Sequence, residues 1–229
     1  MFRHKDTFKN IKKHAMTILF TLVILFISIW YYAGPRTKKY IFIDGGAHNG
    51  ESLLAFQKTG LYKKYPWKIF AIEANPYKIK NLKRMPGITV INKAIWNKNG
   101  TVEFILSKYD STSSLYNNRT IKQPKTITVE SFDFGQWLCR KFSVNDFIII
   151  SLDIEGAEYE VLDKMFADGT IKYVDRFYIE FHSSKLKQFQ GRENELLSKL
   201  EKSGVLGGFD SVENMLDGSC NGWIDTIEK

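Results

Sequence analysis

A parallel α/β sheet is the fold class this sequence predicts, and three observations predict it. Short apolar runs, Tyr40–Ile43, Trp67–Ile72 and Phe147–Ile150, recur along the chain with helix-period segments between them. The last run is apolar at four consecutive positions, as suits a strand covered on both faces. Each run is followed within three residues by a carboxylate, Asp44, Glu73 or Asp153. In an open sheet those acids fall on the carboxyl-end rim, where α/β folds bind their ligands.

The 229 residues suit one domain of ordinary size plus an appendage, and a 44% apolar content supplies a core. Ahead of the sheet, Ala15 to Gly34 is a run of twenty residues without a charge. As a helix it covers about 30 Å, the thickness of the hydrocarbon layer. A buried helix is rarely so apolar on every side, and cleavage after Ala33 would put the bulky Tyr31 where a small residue is expected. Trp30, Tyr31 and Tyr32 suit an interfacial aromatic belt. The expectation is therefore a basic tail at 1–14, an uncleaved single-pass anchor in a lipid bilayer at 15–34, and one domain at 36–229. Arg3, Lys5, Lys9, Lys12 and Lys13 precede the span and Arg36, Lys38 and Lys39 follow it, a bias too small to fix the side on which the domain lies.

The net charge of +8 is unevenly spread: residues 36–98 hold thirteen Lys/Arg against three Asp/Glu, and residues 99–229 hold fifteen against twenty-one. A solvated face or an anionic membrane surface accounts for the basic excess beside the span. No recognisable nucleic-acid module accompanies it, which disfavours a nucleic-acid partner. Cys139 and Cys220 are too few for a disulfide framework, and neither has a Cys or His at metal-ligand spacing.

Tyr40–Ile43 reads as the first strand, Asp44 to Gly50 as a glycine-rich turn and Glu51–Lys58 as a short helix. The pattern Asp44-x-Gly46-x-x-x-Gly50 lacks the G-x-G-x-x-G spacing of a dinucleotide site, and no Gly-Lys-Ser/Thr follows. Trp67–Ile72 is the second strand, and Glu73 at its end suits a bidentate contact to ribose hydroxyls. Asn75-Pro76 reads as a helix start, with Ile79 and Leu82 as its buried stripe. Ile88–Ile91 is the third strand, with Asn92 to Trp96 placed near an adenine. Gly100–Leu106 and Lys125–Ser131 alternate as strands, separated by a polar stretch from Ser107 to Pro124. A helix follows over Phe132–Phe142, then a strand within Asp146–Ile154, a helix with Val161, Leu162, Met165 and Phe166 inward, and a strand over Lys172–Phe181. The chain closes on a helix over Arg192–Ser203 and two short strands, Leu206–Val212 and Trp223–Ile227.

Chemistry gathers at the ends of the late strands. Leu152-Asp153-Ile154-Glu155-Gly156-Ala157-Glu158 brings three carboxylates together, and Glu180-Phe181-His182 closes the following strand. Acids in a first helical turn also complement the helix dipole, which is a structural use for part of this set. Asp153, Glu155, Glu180 and His182 share one rim, where any of them can serve as a general base.

Four segments in order carry a family resemblance: Phe-Ile-Asp-Gly-Gly-Ala-His-Asn-Gly, Ala-Ile-Glu-Ala-Asn-Pro, Leu-Asp-Ile-Glu-Gly-Ala-Glu-Tyr-Glu-Val-Leu and Ile-Glu-Phe-His. From about Tyr40 to Phe181 the chain resembles the FkbM family of S-adenosylmethionine-dependent methyltransferases. The resemblance implies a Rossmann-like, seven-stranded sheet with helices on both faces. It also implies S-adenosyl-L-methionine as cofactor, and methyl transfer to a hydroxyl, often on a sugar or polyketide. By that likeness Asp44, Gly45, Gly46, Ala47, His48, Asn49 and Gly50 hold the methionine part, and Glu73, with Asn75 beside it, the ribose. Gly45 and His48 stand where the family's loop varies, and the anchor is no part of its shared domain. An anchored enzyme points to a glycan or another acceptor of the membrane or secretory path.

The rim set offers two chemistries, a general base and, less favoured, a site for a divalent ion such as Mg²⁺ that acidifies the hydroxyl. Two other functions compete with methyl transfer. One is a membrane-tethered binding protein that kept the fold without the chemistry. The other is a nicotinamide-dependent oxidoreductase, which the loop spacing disfavours.

Overall fold

The structure, a computed structural model, describes residues 14–28, 37–107, 113–116, 125–183 and 185–211, with the side chains of 209–211 left out. The chain divides into two units, Met1–Lys38 and Lys39–Lys229. In the first, residues 14–28 form a helix, α1, whose large apolar side chains are exposed. The Thr21 hydroxyl donates to the Thr17 carbonyl at 2.7 Å, so its polar group is satisfied inside the helix. No helix among the described residues is long and apolar enough to cross a membrane. The expected span at 15–34 continues into residues 29–34, which lie outside those described.

The second unit is the α/β domain. Strands β1 (Tyr40–Gly45), β2 (Trp67–Ile72), β3 (Ile88–Ile91), β7 (Phe147–Leu152), β8 (Arg176–Phe181) and β9 (Leu206–Ser211) form one sheet in the order β3-β2-β1-β7-β8-β9. Every pairing in it is parallel. Strand residues alternate between two cores. Ile41, Ile43, Ile148 and Ile150 pack on one face, with Leu138 of α5 (Phe134–Lys141), Val161, Leu162 and Met165 of α6 (Glu158–Ala167) and Leu196 and Leu200 of α7 (Arg192–Lys202). Phe42 and Ile149 point the other way, towards Leu53 and Phe56 of α2 (Glu51–Lys58) and Ile79 and Leu82 of α4 (Ile79–Leu82). Helices on both faces explain why β1 and β7 read as unbroken apolar runs.

A separate three-stranded sheet, ordered β4-β6-β5, is built from β4 (Ala94–Trp96), β5 (Gly100–Leu106) and β6 (Lys125–Asp133). The central sheet thus has six described strands where seven are expected, and Trp223–Ile227, read as a strand, lies outside the described residues. Other boundaries also move. Asn75-Pro76 opens a turn rather than a helix, because the Asn75 side chain accepts from Tyr77 N–H at 3.0 Å, and only Ile79–Leu82 is α-helical. A further short helix, α3 (Gly60–Lys64), lies between α2 and β2, its N-cap Thr59 accepting from Tyr62 N–H. Lys172–Phe181 is not one strand: a 3-10 turn over Thr170–Tyr173 precedes β8.

Candidate active site

Strand order reverses between β1 and β7, each β1 neighbour leaving on its own side, and a crevice opens at their carboxyl ends. The loop after β1 is held by both neighbours. Gly46 and Ala47 N–H donate to the Ile72 carbonyl at 2.9 and 3.2 Å, and Asp153 N–H donates to the Gly45 carbonyl at 2.9 Å. Gly46 has φ +82°, and a Cβ there would run into the Asp153 carbonyl. Backbone from two strand ends therefore meets at a point with no room for a side chain.

Beside this point lies a cleft of about 370 Å³, within the ~300–1,000 Å³ usual for small-molecule sites. Five of the nine cofactor candidates line it: Gly46, Ala47, His48, Glu73 and Asn75. Asp44, Gly45, Asn49 and Gly50 do not. Asp44 is buried beneath the loop with Oδ2 lacking a hydrogen bond, and the Asn49 side chain accepts from Lys78 Nζ at 3.2 Å. Glu73 is tied down: Oε2 accepts from His48 N–H at 2.8 Å and Oε1 from Asn75 N–H at 2.6 Å. Each oxygen keeps a further lone pair, so the carboxylate braces the first loop and remains able to accept from a ligand. His48 takes φ +45°, with Nδ1 3.5 Å from Glu51 and Nε2 buried without a hydrogen bond.

Asp153, Glu155 and Glu180 line the opposite side of the cleft, and His182 lies directly beneath them, fully enclosed. Its Nε2 is 3.6 Å from Asp153, 3.4 Å from Glu155 and 3.3 Å from Glu180. The four rim residues named from strand-end reasoning are thus brought together. Glu155 sits at φ +53°, its carbonyl taking the Ser114 hydroxyl at 2.6 Å and its carboxylate lying 3.3 Å from Lys185 Nζ. Sequence reasoning gave Glu158 only a helix-dipole use. The structure makes it the anchor of the turn, fully buried, with Oε1 accepting from Ile154 N–H at 2.9 Å and Oε2 from Gly156 N–H at 2.8 Å. Lys93, Ala94, Ile95, Phe104, Ser113, Leu115 and Lys185 are also among the residues of its walls. Asn92 to Trp96 was singled out in the sequence, and Ser113 and Leu115 belong to the polar stretch Ser107 to Pro124, whose length suits a cover for cofactor or acceptor; Phe104 and Lys185 were not singled out, because the pairing that delivers them is non-local.

Burial is the first influence on His182, Asp153, Glu155 and Asp44. It works against a charge on His182, yet Glu158, Glu180 and Asp153 overcome it and hold its pKa well above the ordinary value. Desolvation raises Asp153 and Glu155, with their carboxylate neighbours adding to it and His182 opposing. Asp153 keeps 47% of its side-chain surface open to the cleft, so water there moderates its shift. Asp44 is pushed up to about 7 by burial and by Glu73 and Glu51, with the Ser151 hydroxyl opposing. Its folded pKa lies above its unfolded one, so the folded state alone holds this proton between roughly pH 4 and pH 7, and stability falls as pH rises through that window. Relative to Asp44→Asn, the unliganded protein should therefore lose melting temperature from pH 5 to pH 8. Parallel melting curves for the two chains would show the charge to be compensated instead.

Residues 44–209 match the family model of the methyltransferase FkbM domain. Among solved structures, a methyltransferase FkbM from Methylobacillus flagellatus KT matches at 17% identity with a TM-score of 0.36, over 58% of this chain and 31% of that one. This chain thus spans under a third of that protein's length. No curated protein matches. The family match covers the β1 loop, Glu73, the acidic rim and β8 together, and by it the chain belongs to the FkbM methyltransferase family.

Proposed function

We propose that the chain is an S-adenosylmethionine-dependent O-methyltransferase, anchored to a membrane through residues 15–34, that methylates a hydroxyl of a glycan or another membrane-associated acceptor. The observation that carries the reading is one cleft with a side-chain-free loop crossing at Gly46 on one side and three carboxylates on the other. The residues fit the cofactor. Gly46 leaves backbone open to a ligand, Glu73 has lone pairs to spare for a diol, and the buried Nε2 of His48 has no protein partner for hydrogen bonding. Gly46, Ala47, His48, Glu73 and Asn75 would hold it.

The cofactor supplies a methyl group already activated by the sulfonium charge. What falls to the chain is alignment and one proton. Ala94, Ile95 and Phe104 exclude water from the cofactor side of the cleft. Asp153, Glu155 and Glu180 face the acceptor side, and a carboxylate there takes the hydroxyl proton as the oxygen becomes nucleophilic. Raised pKa values bring Asp153 and Glu155 closer to the proton affinity this requires. Lys185 and the enclosed His182 limit the repulsion among the acids.

Calorimetry with S-adenosylhomocysteine and with NAD separates the reading from an oxidoreductase: the first should bind and the second should not. Labelled methyl transfer into fractionated lipid, glycan and protein pools then separates an enzyme from a tethered binding protein. Label in no pool would sink the catalytic reading. The anchor is tested apart from the chemistry. The full chain should stay with membranes in carbonate extraction, and its release would remove the membrane from the proposal.

A further inference from the structure

His182 stands at the centre of a donor set that a methyl-transfer cleft does not need for binding its cofactor. Its side chain is wholly enclosed, and neither ring nitrogen has a hydrogen-bond partner. Nε2 points at oxygens of Asp153, Glu155 and Glu180, at 3.3 to 3.6 Å. Nδ1 faces a different group, Oε1 of Glu158 at 3.3 Å. Glu158 cannot turn away, because both its oxygens are held by the N–H groups of Ile154 and Gly156. A fixed carboxylate beside Nδ1 keeps a proton there, so that a cation arriving among the three acids would displace only the proton on Nε2. This carboxylate–imidazole pairing is how metal-ligating histidines are oriented.

The three acids converge on Nε2, where either a proton or a metal ion in its place offsets their repulsion. One ligand atom each from Asp153, Glu155 and His182 fall within 4.8 Å of one another. Among the described residues, Lys185 pairs with Glu155, at 3.3 Å. We infer that Asp153, Glu155 and His182, with Glu180 beside them, form a binding site for a divalent first-row cation of the Mn²⁺ type. Carboxylates with a single imidazole suit such an ion better than a thiolate-seeking one. The cation site stands on this geometry alone; its use rests on the methyl-transfer reading. There the ion receives the acceptor hydroxyl in an open coordination position and makes it more acidic. The proton passes to Glu180, and the new O–C bond forms as the methyl carbon's bond to sulfur breaks.

The test titrates Mn²⁺ alone into the full chain, stripped with chelator and held in detergent, and reads calorimetric heat and loss of the free-ion electron paramagnetic resonance signal. One equivalent should bind. Asp153→Asn and Glu155→Gln should each weaken uptake at least about tenfold, and Glu158→Gln by about tenfold to a hundredfold, as loss of a ligand's orienting partner does. Circular dichroism confirms that each variant is folded, and Asp153, partly exposed, is the substitution least able to unfold the chain. No uptake of Mn²⁺ at concentrations up to about 1 mM would overturn the site, since that is the limit of weak specific binding. Uptake unchanged in both Asp153→Asn and Glu155→Gln would also overturn it, by placing the ion elsewhere. Mn²⁺ uptake by a chain that does not bind S-adenosylhomocysteine would support the site and sink the methyl-transfer reading. Binding of S-adenosylhomocysteine without Mn²⁺ uptake would do the reverse.

Discussion

Replacing the rim acids one at a time, as Asp153→Asn, Glu155→Gln and Glu180→Gln, should lower turnover on a genuine acceptor by about 10²-fold to 10⁴-fold for whichever carboxylate takes the proton. Affinity for S-adenosylhomocysteine should barely change. The expectation follows from their contacts: these three side chains crowd the same imidazole, whereas Glu73 is tied to His48 and Asn75 of the other wall. Each substitution keeps size and shape and removes one charge, so a fall in turnover cannot be blamed on a cavity. His182→Ala is a poorer probe, because it empties a fully enclosed site among four carboxylates and endangers folding. Should all three acid variants keep near-normal turnover, no rim carboxylate is the base, and alignment with proton loss to water would carry the reaction.

Gly46→Ala should be the most damaging small substitution in the domain. Two penalties act together. Left-handed backbone disfavours any Cβ by about 1 to 2 kcal/mol, and this Cβ would meet the Asp153 carbonyl, which is backbone and cannot rotate aside. The loop must shift, breaking its bonds to Ile72. A total loss of about 3 kcal/mol or more lowers the melting temperature by roughly 6 to 12 °C in a domain this size, and S-adenosylhomocysteine affinity should fall with it. Gly87→Ala is the control: its φ is +75°, but nothing lies within 4 Å of the added carbon. It should show only the conformational part. Equal effects at the two positions would mean that the contact with Asp153 plays no role.

What the sequence disclosed depended on how local the cause is. Glu51–Lys58 was readable to the residue, because a glycine turn precedes it and apolar Leu53 and Phe56 set its period. The β1 loop and the rim acids were readable because parallel strands place every carboxyl end on one edge. Non-local pairing was not readable: β5 and β6 were recognisable as strands, β4 was read only as a segment near an adenine, and nothing in their residues says that they form a sheet of their own. Asp44 misled for a different reason. A strand-end acid is expected to face the crevice, but the next residues fold back to Ile72 and cover it. Glu158 is likewise ambiguous in sequence, since a first-turn acid looks the same whether it serves a helix dipole or caps two N–H groups and an imidazole.

The positive φ of Glu155 has a bearing on what selection can preserve. Glycine occupies that region without strain and asparagine with little, whereas glutamate does so at a disadvantage of the order of 1 kcal/mol. Its carboxylate adds a second disadvantage by standing among like charges. A population of variants sorted only for folding would drift to glycine or asparagine at 155, gaining stability at every step. Glutamate is therefore the residue that folding alone would discard at this turn, so Glu155→Gly should gain stability while removing a carboxylate from the cleft.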